Sequence, residues 1–148
     1  TWVMKYPTFQ RVDFAASELD GFLRRFLPNR RIVIVGHSMG GLVAARYLAR
    51  FSDTQVAHVV TLGTPFAGSP AANLERRDAL RAALRECSFR QTVRESVGRL
   101  FLVDDSPGYL DLSDAASAFP RRTVLPSLAQ NRSRITAFYG ELADDRNH

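Results

Sequence analysis

Hydrophobic positions along the first 62 residues switch repeatedly between the spacing of strands and the spacing of helices. Residues 32–35 form an unbroken β-branched run, typical of a strand buried on both faces of a parallel sheet. Residues 2–6 and 56–62 are also predicted strands, and residues 13–27 have the apolar period of an amphipathic helix. Strands that alternate with helices predict an α/β fold, in which a parallel sheet carries helices on both faces.

The second half of the chain has a different pattern. Residues 71–87 are helical and rich in arginine, residues 115–119 form a short predicted helix, and residues 133–140 return to strand character. We predict that residues 71–126 are a helical insertion between two strands of the sheet. Such an insertion could act as a lid, and the alternative is that its helices simply cover one face of the sheet.

A glycine-flanked serine stands where the strand at residues 32–35 gives way to a helical pattern. The sequence Gly36-His37-Ser38-Met39-Gly40 fits the G-x-S-x-G nucleophile elbow, in which a sharp strand-to-helix turn lifts the serine hydroxyl above the sheet. Glycine at positions 36 and 40 removes Cβ atoms that would clash at such a turn. The motif alone also occurs by chance in glycine-containing loops, but its position between a strand and a helix favours the elbow.

The elbow predicts two catalytic groups. Ser38 is the candidate nucleophile, because a serine hydroxyl becomes reactive when a base takes its proton and hydrogen-bond donors stabilise the oxyanion. The Met39 backbone N–H, at the start of the following helix, is the candidate oxyanion donor.

Two motifs together resemble the α/β-hydrolase superfamily, and within it the lipase and esterase branch. The first is Gly-His-Ser-Met-Gly-Gly at residues 36–41, and the second is Leu-Gly-Thr-Pro-Phe-Ala-Gly-Ser at residues 62–69, which is similar to a loop of triacylglycerol-lipase-like and inositol-deacylase-like members. Family members often have histidine and arginine where this chain has Phe66 and Ala67. The resemblance implies acyl-ester hydrolysis through an acyl-enzyme, with no metal and no organic cofactor.

The resemblance also implies where the triad acid lies. In this superfamily the catalytic residues follow the order serine, acid, histidine along the chain. Asp145 or Asp144, after the predicted strand at residues 133–140, matches the acid, with Glu141 as a further candidate. Asp104 and Asp105 are the rival acids, in the manner of members that take the carboxylate one strand earlier.

The histidine base is harder to place. His37 belongs to the elbow, His58 lies in a predicted strand and is expected to be structural, and His148 follows Asp145 too closely to leave room for another strand. The loop that supplies the second oxyanion donor would precede Thr1. We therefore expect residues 1–148 to be a single but partial domain, the central part of an α/β-hydrolase, which alone hydrolyses esters poorly.

Composition and charge narrow the classes of partner that this protein is expected to bind. The net charge of +5 comes from 20 basic residues, nearly all arginine, scattered along the chain, which fits a solvated surface or contact with an anionic lipid surface. The sequence shows no basic patch interleaved with aromatic residues, which is the pattern that would predict nucleic-acid binding. The single cysteine, Cys87, excludes an internal disulfide. Neither a signal peptide nor a membrane span is predicted, which slightly favours the cytoplasm.

The leading hypothesis is a lipase-like serine hydrolase acting on small or lipid esters. A thioesterase or an acyltransferase would use the same elbow. The alternative from another class is a non-catalytic α/β-hydrolase-like binding domain that keeps the elbow without a base. The sequence leaves the oligomeric state open.

Overall fold

The computed structural model describes residues 1–51, 55–69, 108, 111–112 and 119–139. In chain order the described elements are helix α1 (Val12–Phe26), strand β1 (Ile32–His37), helix α2 (Met39–Phe51), strand β2 (Val56–Leu62), a π-helical stretch (Pro120–Val124) that runs into helix α3 (Leu125–Gln130), a 3-10 turn (Arg132–Arg134) and strand β3 (Ile135–Phe138).

The three strands form one parallel sheet in the order β1-β2-β3. Val35 lies opposite Val60, and Val60 lies opposite Thr136, so these residues form one row across the sheet. The register between β1 and β2 shifts once, between Ile32 and Val33. All three strands therefore end at the same edge, where His37, Leu62 and Phe138 stand side by side. The predicted α/β class is confirmed.

The strand predicted at residues 2–6 is wrong, because this segment forms neither helix nor strand. Its side chains contact α1 instead: the Trp2 ring lies 6.1 Å from Phe22 and 6.2 Å from Phe26, centroid to centroid. The apolar residues that suggested a strand thus bury their surface against a helix, without a ladder of backbone hydrogen bonds.

The core lies between one face of the sheet and the helices. Leu42, Tyr47 and Leu48 of α2 are fully buried, as are Val56 and Val59 of β2. Helix α1 packs along α2, and α3 packs on α2 and on the π-helical stretch that precedes it. Of these helices, α2 is the one that packs directly on β1 and β2. Val33 and Val35, whose side chains point to the other face of the sheet, are exposed.

An ion pair fixes the two long helices against each other. Arg46 of α2 donates to the Asp13 carboxylate of α1 over 2.5 Å, and Arg50 donates to the backbone carbonyl of the same aspartate. Since Asp13 lies in the first turn of α1, its charge is also favourable to the helix dipole.

Several predicted boundaries shift slightly. The helix predicted at residues 13–27 spans Val12–Phe26, and the strand predicted at 133–140 is shortened to Ile135–Phe138, since Arg132–Arg134 forms a 3-10 turn. Most of the insertion predicted at residues 71–126 lies outside the described residues, so its lid function stays a prediction. Its predicted end at Pro126 falls inside α3.

Candidate active site

Ser38 connects β1 to α2 in a conformation that few residues other than glycine adopt. Its φ angle is +52°, in the left-handed region. The backbone is fixed on both sides: the Ser38 N–H donates to the Leu62 carbonyl of β2 over 2.9 Å, and the Ser38 carbonyl accepts the Gly41 N–H over 3.0 Å. The side chain is half-buried at the edge where the strands end. This is the backbone geometry that a nucleophile elbow requires.

Gly36 allows β1 to approach the first turn of α2. A Cβ atom at this position would lie 2.7 Å from the Gly40 carbonyl carbon and oxygen and from the Gly41 nitrogen, all backbone atoms that cannot move independently. The sharpness of the turn therefore depends on the missing side chain. The prediction that glycine relieves a clash is confirmed at position 36 and wrong at position 40, where a Cβ atom would meet only the Tyr6 hydroxyl oxygen, at the ordinary contact distance of 3.6 Å.

The loop that follows β2 packs closely against Gly41. A Cβ atom at Gly41 would lie 2.8 Å from the Thr64 Cβ and Cγ2 atoms, so Thr64 packs directly on the first turn of α2. The Thr64 hydroxyl oxygen is buried and has no hydrogen-bond partner among the described residues. The loop at residues 62–69 and the elbow, separated in sequence, thus form one surface.

Met39 begins α2, and its side chain is buried in the core. As the first residue of the helix, it has a backbone N–H without an intrahelical carbonyl to bond. This amide stands next to Ser38 at the positive end of the helix dipole, where it can stabilise negative charge.

The chain leaves β3 at the same edge as Ser38. The Gly63 N–H, just after β2, donates to the Phe138 carbonyl at the end of β3 over 2.8 Å. Residues that follow β3 therefore start two strands away from the elbow. Asp144, Asp145 and Glu141 lie beyond this point and outside the described residues.

Of the other predicted acids and histidines, some lie outside the described residues and some lie within them. Asp104, Asp105 and His148 lie outside the described residues. His58 contacts β3: its Nε2 atom lies 2.8 Å from the Thr136 hydroxyl oxygen. His58 lies four positions before Leu62 at the strand end, about 13 Å at 3.3 Å per residue. His37 is exposed beside Ser38.

Tyr6 was not singled out by the sequence but lies next to the elbow. Its hydroxyl oxygen is 3.6 Å from the place where a Cβ atom of Gly40 would stand. Burial raises the pKa of the Tyr6 hydroxyl above its usual range, so the group stays protonated and can donate a hydrogen bond at neutral pH. Only the fold brings residue 6 to residue 40, and no local sequence signal indicates it.

Asp111 is a second group that the sequence did not reveal. Its carboxylate, 3% exposed, accepts the Val12 N–H at the start of α1 over 2.8 Å, and Arg11 lies 3.5 Å from its other oxygen. Burial raises the pKa of Asp111, while the bond from Val12 and the charge of Arg11 lower it to a smaller extent. These contacts give Asp111 a structural role at the helix start.

Within the described ranges, no group of three or more histidine, cysteine or acidic side chains is arranged to hold a metal ion. None of the helices in these ranges is both long and apolar enough to cross a membrane.

Comparison with known families agrees with the elbow geometry. The sequence profile of the alpha/beta hydrolase fold matches residues 5–100, which include β1, the elbow and α2. The chain belongs to the α/β-hydrolase family. No curated protein matches the chain. Members of this family are mostly hydrolases, so a hydrolase-type function is expected. The type of bond cleaved and the substrate have to be argued from the site itself.

Proposed function

We propose that this α/β-hydrolase is a lipase-like serine hydrolase that cleaves acyl esters through an acyl-enzyme. The observation that supports the proposal most strongly is the left-handed backbone of Ser38, at φ +52°. Strain of this kind persists where the surrounding structure enforces it, and it is found at functional sites. A serine with no chemical role could be replaced by glycine at lower conformational cost.

In the proposed reaction the Ser38 Oγ attacks the ester carbonyl carbon while a histidine takes the hydroxyl proton. The Met39 N–H donates to the oxyanion of the tetrahedral intermediate. The carbon–oxygen bond to the alcohol then breaks, and the alcohol leaves with the proton from the histidine. Water next attacks the acyl-enzyme, which releases the carboxylic acid and restores Ser38.

The remaining triad members are proposed from sequence order. Asp145 or Asp144 would orient the histidine, and the histidine itself would come from beyond β3. The end of β3 lies at the same sheet edge as Ser38, which supports an acid from this part of the chain. No metal or organic cofactor takes part in this chemistry, and the proposed partner is a small or lipid ester, with contact to a lipid surface through the scattered arginines.

The test is labelling of the purified protein with a fluorophosphonate, which bonds covalently to activated serines. We expect labelling that is lost in Ser38→Ala and retained in Ser133→Ala, a matched control in the exposed 3-10 turn. A folded protein that is not labelled would contradict the proposal and favour a non-catalytic binding domain. Labelling that appears only with added imidazole would support the nucleophile and show that the base is not in place.

Acyl transfer and thioester hydrolysis would proceed through the same acyl-enzyme. Turnover of an ester with a labelled acyl group distinguishes hydrolysis from transfer, because a hydrolase releases the acyl group to water, whereas an acyltransferase needs an added alcohol. A parallel comparison of oxygen esters with thioesters of the same acyl chain measures which leaving group is preferred.

A further inference from the structure

A basic cleft lies at the end of the sheet where the strands begin. Its volume is about 860 Å³, and it is lined by residues 29–31, residues 55–57 and Arg134. These residues lead into β1, β2 and β3 or are the first residues of them. Ser38 stands at the other end of the sheet, about 20 Å away along the six residues of β1, at 3.3 Å per residue. The cleft is therefore separate from the candidate active site.

Three arginines give the cleft its charge: Arg30, Arg31 and Arg134. None of the described residues that line it is acidic. Arg134 is held in place, because its guanidinium donates to the Val56 backbone carbonyl. Arg30 and Arg31 are exposed, and they form no ion pair and no side-chain hydrogen bond with a described residue. Like charges that converge in this way repel one another, and an anion between them offsets the repulsion.

Binding of free backbone carbonyls is a common role of arginine near helix ends, but it does not account for Arg30 and Arg31. The Leu27 carbonyl, just after α1, accepts the side-chain amide of Gln55. The Val56 carbonyl accepts the third arginine of the cleft. These carbonyls have donors already, which leaves two guanidinium groups for a ligand.

The backbone around the cleft fixes where these arginines stand. Asn29 has a φ angle of +59°, a left-handed conformation that asparagine tolerates, and it turns the chain from α1 into β1. The register shift between Ile32 and Val33 leaves Ala57 as an extra residue of β2. Such a bulge bends its strand, and the cleft lies at this bend. The two free arginines therefore follow a tight turn and border an irregular start of the sheet.

We propose that this cleft binds a phosphate group through Arg30 and Arg31, with Arg134 as a third, fixed cation. A guanidinium keeps its charge at every physiological pH, and its planar fork of N–H donors matches the oxygens of a phosphate. The volume exceeds what one phosphate fills, which leaves room for the organic group that carries it. The site does not depend on the proposed ester hydrolysis, because it lies at the far end of the sheet.

The test is a titration of the intact, isotope-labelled chain with inorganic phosphate, followed by NMR. Potassium chloride keeps the ionic strength constant, so that unspecific attraction is screened equally at every point. We expect saturable shifts of the side-chain Nε–H signals of Arg30 and Arg31 and of the Ala57 amide. The signal of Arg132, which is exposed in the same turn as Arg134 but does not line the cleft, should stay in place.

Substitutions separate the cleft from net charge. Arg30→Gln with Arg31→Gln should weaken phosphate binding at least about tenfold, because charge-assisted hydrogen bonds are lost. Arg132→Gln, the matched control, also removes a positive charge and should change the affinity by less than about twofold.

Two further arms identify what carries the phosphate. Glycerol phosphate is the soluble probe, and phosphatidylcholine vesicles with phosphatidic acid are the lipid probe. Sedimentation with these vesicles that depends on Arg30 and Arg31, and that inorganic phosphate competes away, would assign a lipid headgroup. Binding of glycerol phosphate without sedimentation would assign a soluble phosphate compound.

Three results would overturn the proposal. One is the absence of saturable shifts up to about 10 mM phosphate in a chain whose α2 amides remain protected, since the chain is then folded and the cleft is unoccupied. Equal weakening by Arg132→Gln would reduce the effect to net charge. The third concerns Asp53, two positions before Gln55 and outside the described residues. Phosphate binding that appears only in Asp53→Asn would show that a carboxylate of the chain itself neutralises the cleft.

Discussion

At the scale of single residues, the site depends on backbone conformations that ordinary side chains tolerate poorly. Ser38 adopts φ +52°, which costs a residue with a Cβ atom roughly 1–2 kcal/mol relative to glycine. The bonds from Ser38 N–H to Leu62 and from Gly41 N–H to Ser38 hold this conformation from the sheet and from the helix. Stability is therefore lowered at the residue proposed to react.

The strain leads to a prediction about substitutions at position 38. Ser38→Gly should raise the free energy of unfolding by about 1 kcal/mol relative to Ser38→Ala, because only glycine relieves the left-handed conformation. Both variants should lose fluorophosphonate labelling equally. Urea unfolding of the two variants measures the difference, and equal stabilities would show that Ser38 is not strained.

Gly36 is the second residue on which the elbow depends. Gly36→Ala should lower the free energy of unfolding by about 1–3 kcal/mol, since the new Cβ atom would stand 2.7 Å from backbone atoms of Gly40 and Gly41. Thermal unfolding followed by circular dichroism would measure this loss.

Gly21 provides the control for this substitution. It lies inside α1, with no atom within 4 Å of the place where its Cβ would stand. Gly21→Ala should therefore stabilise the protein by about 0.5–1 kcal/mol through helix propensity. If both alanine variants shift stability in the same direction, the close approach at Gly36 is not what limits that position.

At the scale of secondary-structure elements, α1 illustrates how a helix start can be completed from far away in sequence. The residue before the helix is Arg11, whose side chain does not cap it. Asp111 supplies the missing acceptor for the Val12 N–H from 99 positions along the chain. Helix starts normally take this acceptor from a serine, threonine, asparagine or aspartate at the cap position itself.

Burial of Asp111 predicts a pH dependence of stability. Because the fold raises the pKa of Asp111 above 3.8, the folded chain binds its proton more tightly than the unfolded chain does. This contribution therefore favours folding at low pH and decreases as the pH rises from 3.8 through the raised pKa. Asp111→Asn keeps an oxygen acceptor for Val12 and should remove the dependence, as urea unfolding across that pH range would show.

Two control variants separate charge from hydrogen bonding. Asp111→Ala should also remove the dependence, and it should be about 1–2 kcal/mol less stable than Asp111→Asn at every pH, because the Val12 N–H loses its acceptor. Asp20→Asn removes a carboxylate that pairs with the exposed Arg24 within α1 and should cost less than about 0.5 kcal/mol. A pH profile of Asp111→Asn that matches the unaltered protein would assign the dependence to another group.

At the scale of the whole molecule, the two faces of the sheet differ sharply. The helix-covered face holds Val59 at 0% exposure, whereas Val35, on the opposite face, is 63% exposed and lies near other exposed apolar side chains of the strands. Parallel strands are usually apolar on both faces because both are covered. The composition of the strands therefore fits a sheet with two apolar faces, only one of which the described helices cover.

This asymmetry predicts different responses to the same substitution. Val59→Thr should lower the free energy of unfolding by about 1–3 kcal/mol, because it buries a hydroxyl among apolar side chains. Val35→Thr should change it by less than about 0.5 kcal/mol. Equal losses in chemical unfolding would show that the face carrying Val35 is covered in solution.

What the sequence determined by itself is the local architecture around Ser38. The strand, the elbow and the following helix were predicted correctly because each depends on neighbouring residues: the β-branched run, the flanking glycines and the helical period of α2. The parallel α/β class followed from the same alternation of elements. The catalytic assignments to Ser38, Met39 and the acids after β3 remain predictions.

The tertiary structure decided everything that joins distant parts of the chain. It placed residues 2–6 against α1 and not in the sheet, since an apolar pattern does not specify which surface covers it. It also brought Asp111 to the start of α1, Thr64 onto Gly41 and Tyr6 beside Gly40. Contacts between residues tens of positions apart leave no local periodicity or motif, and they form only when the packed elements bring the two segments together.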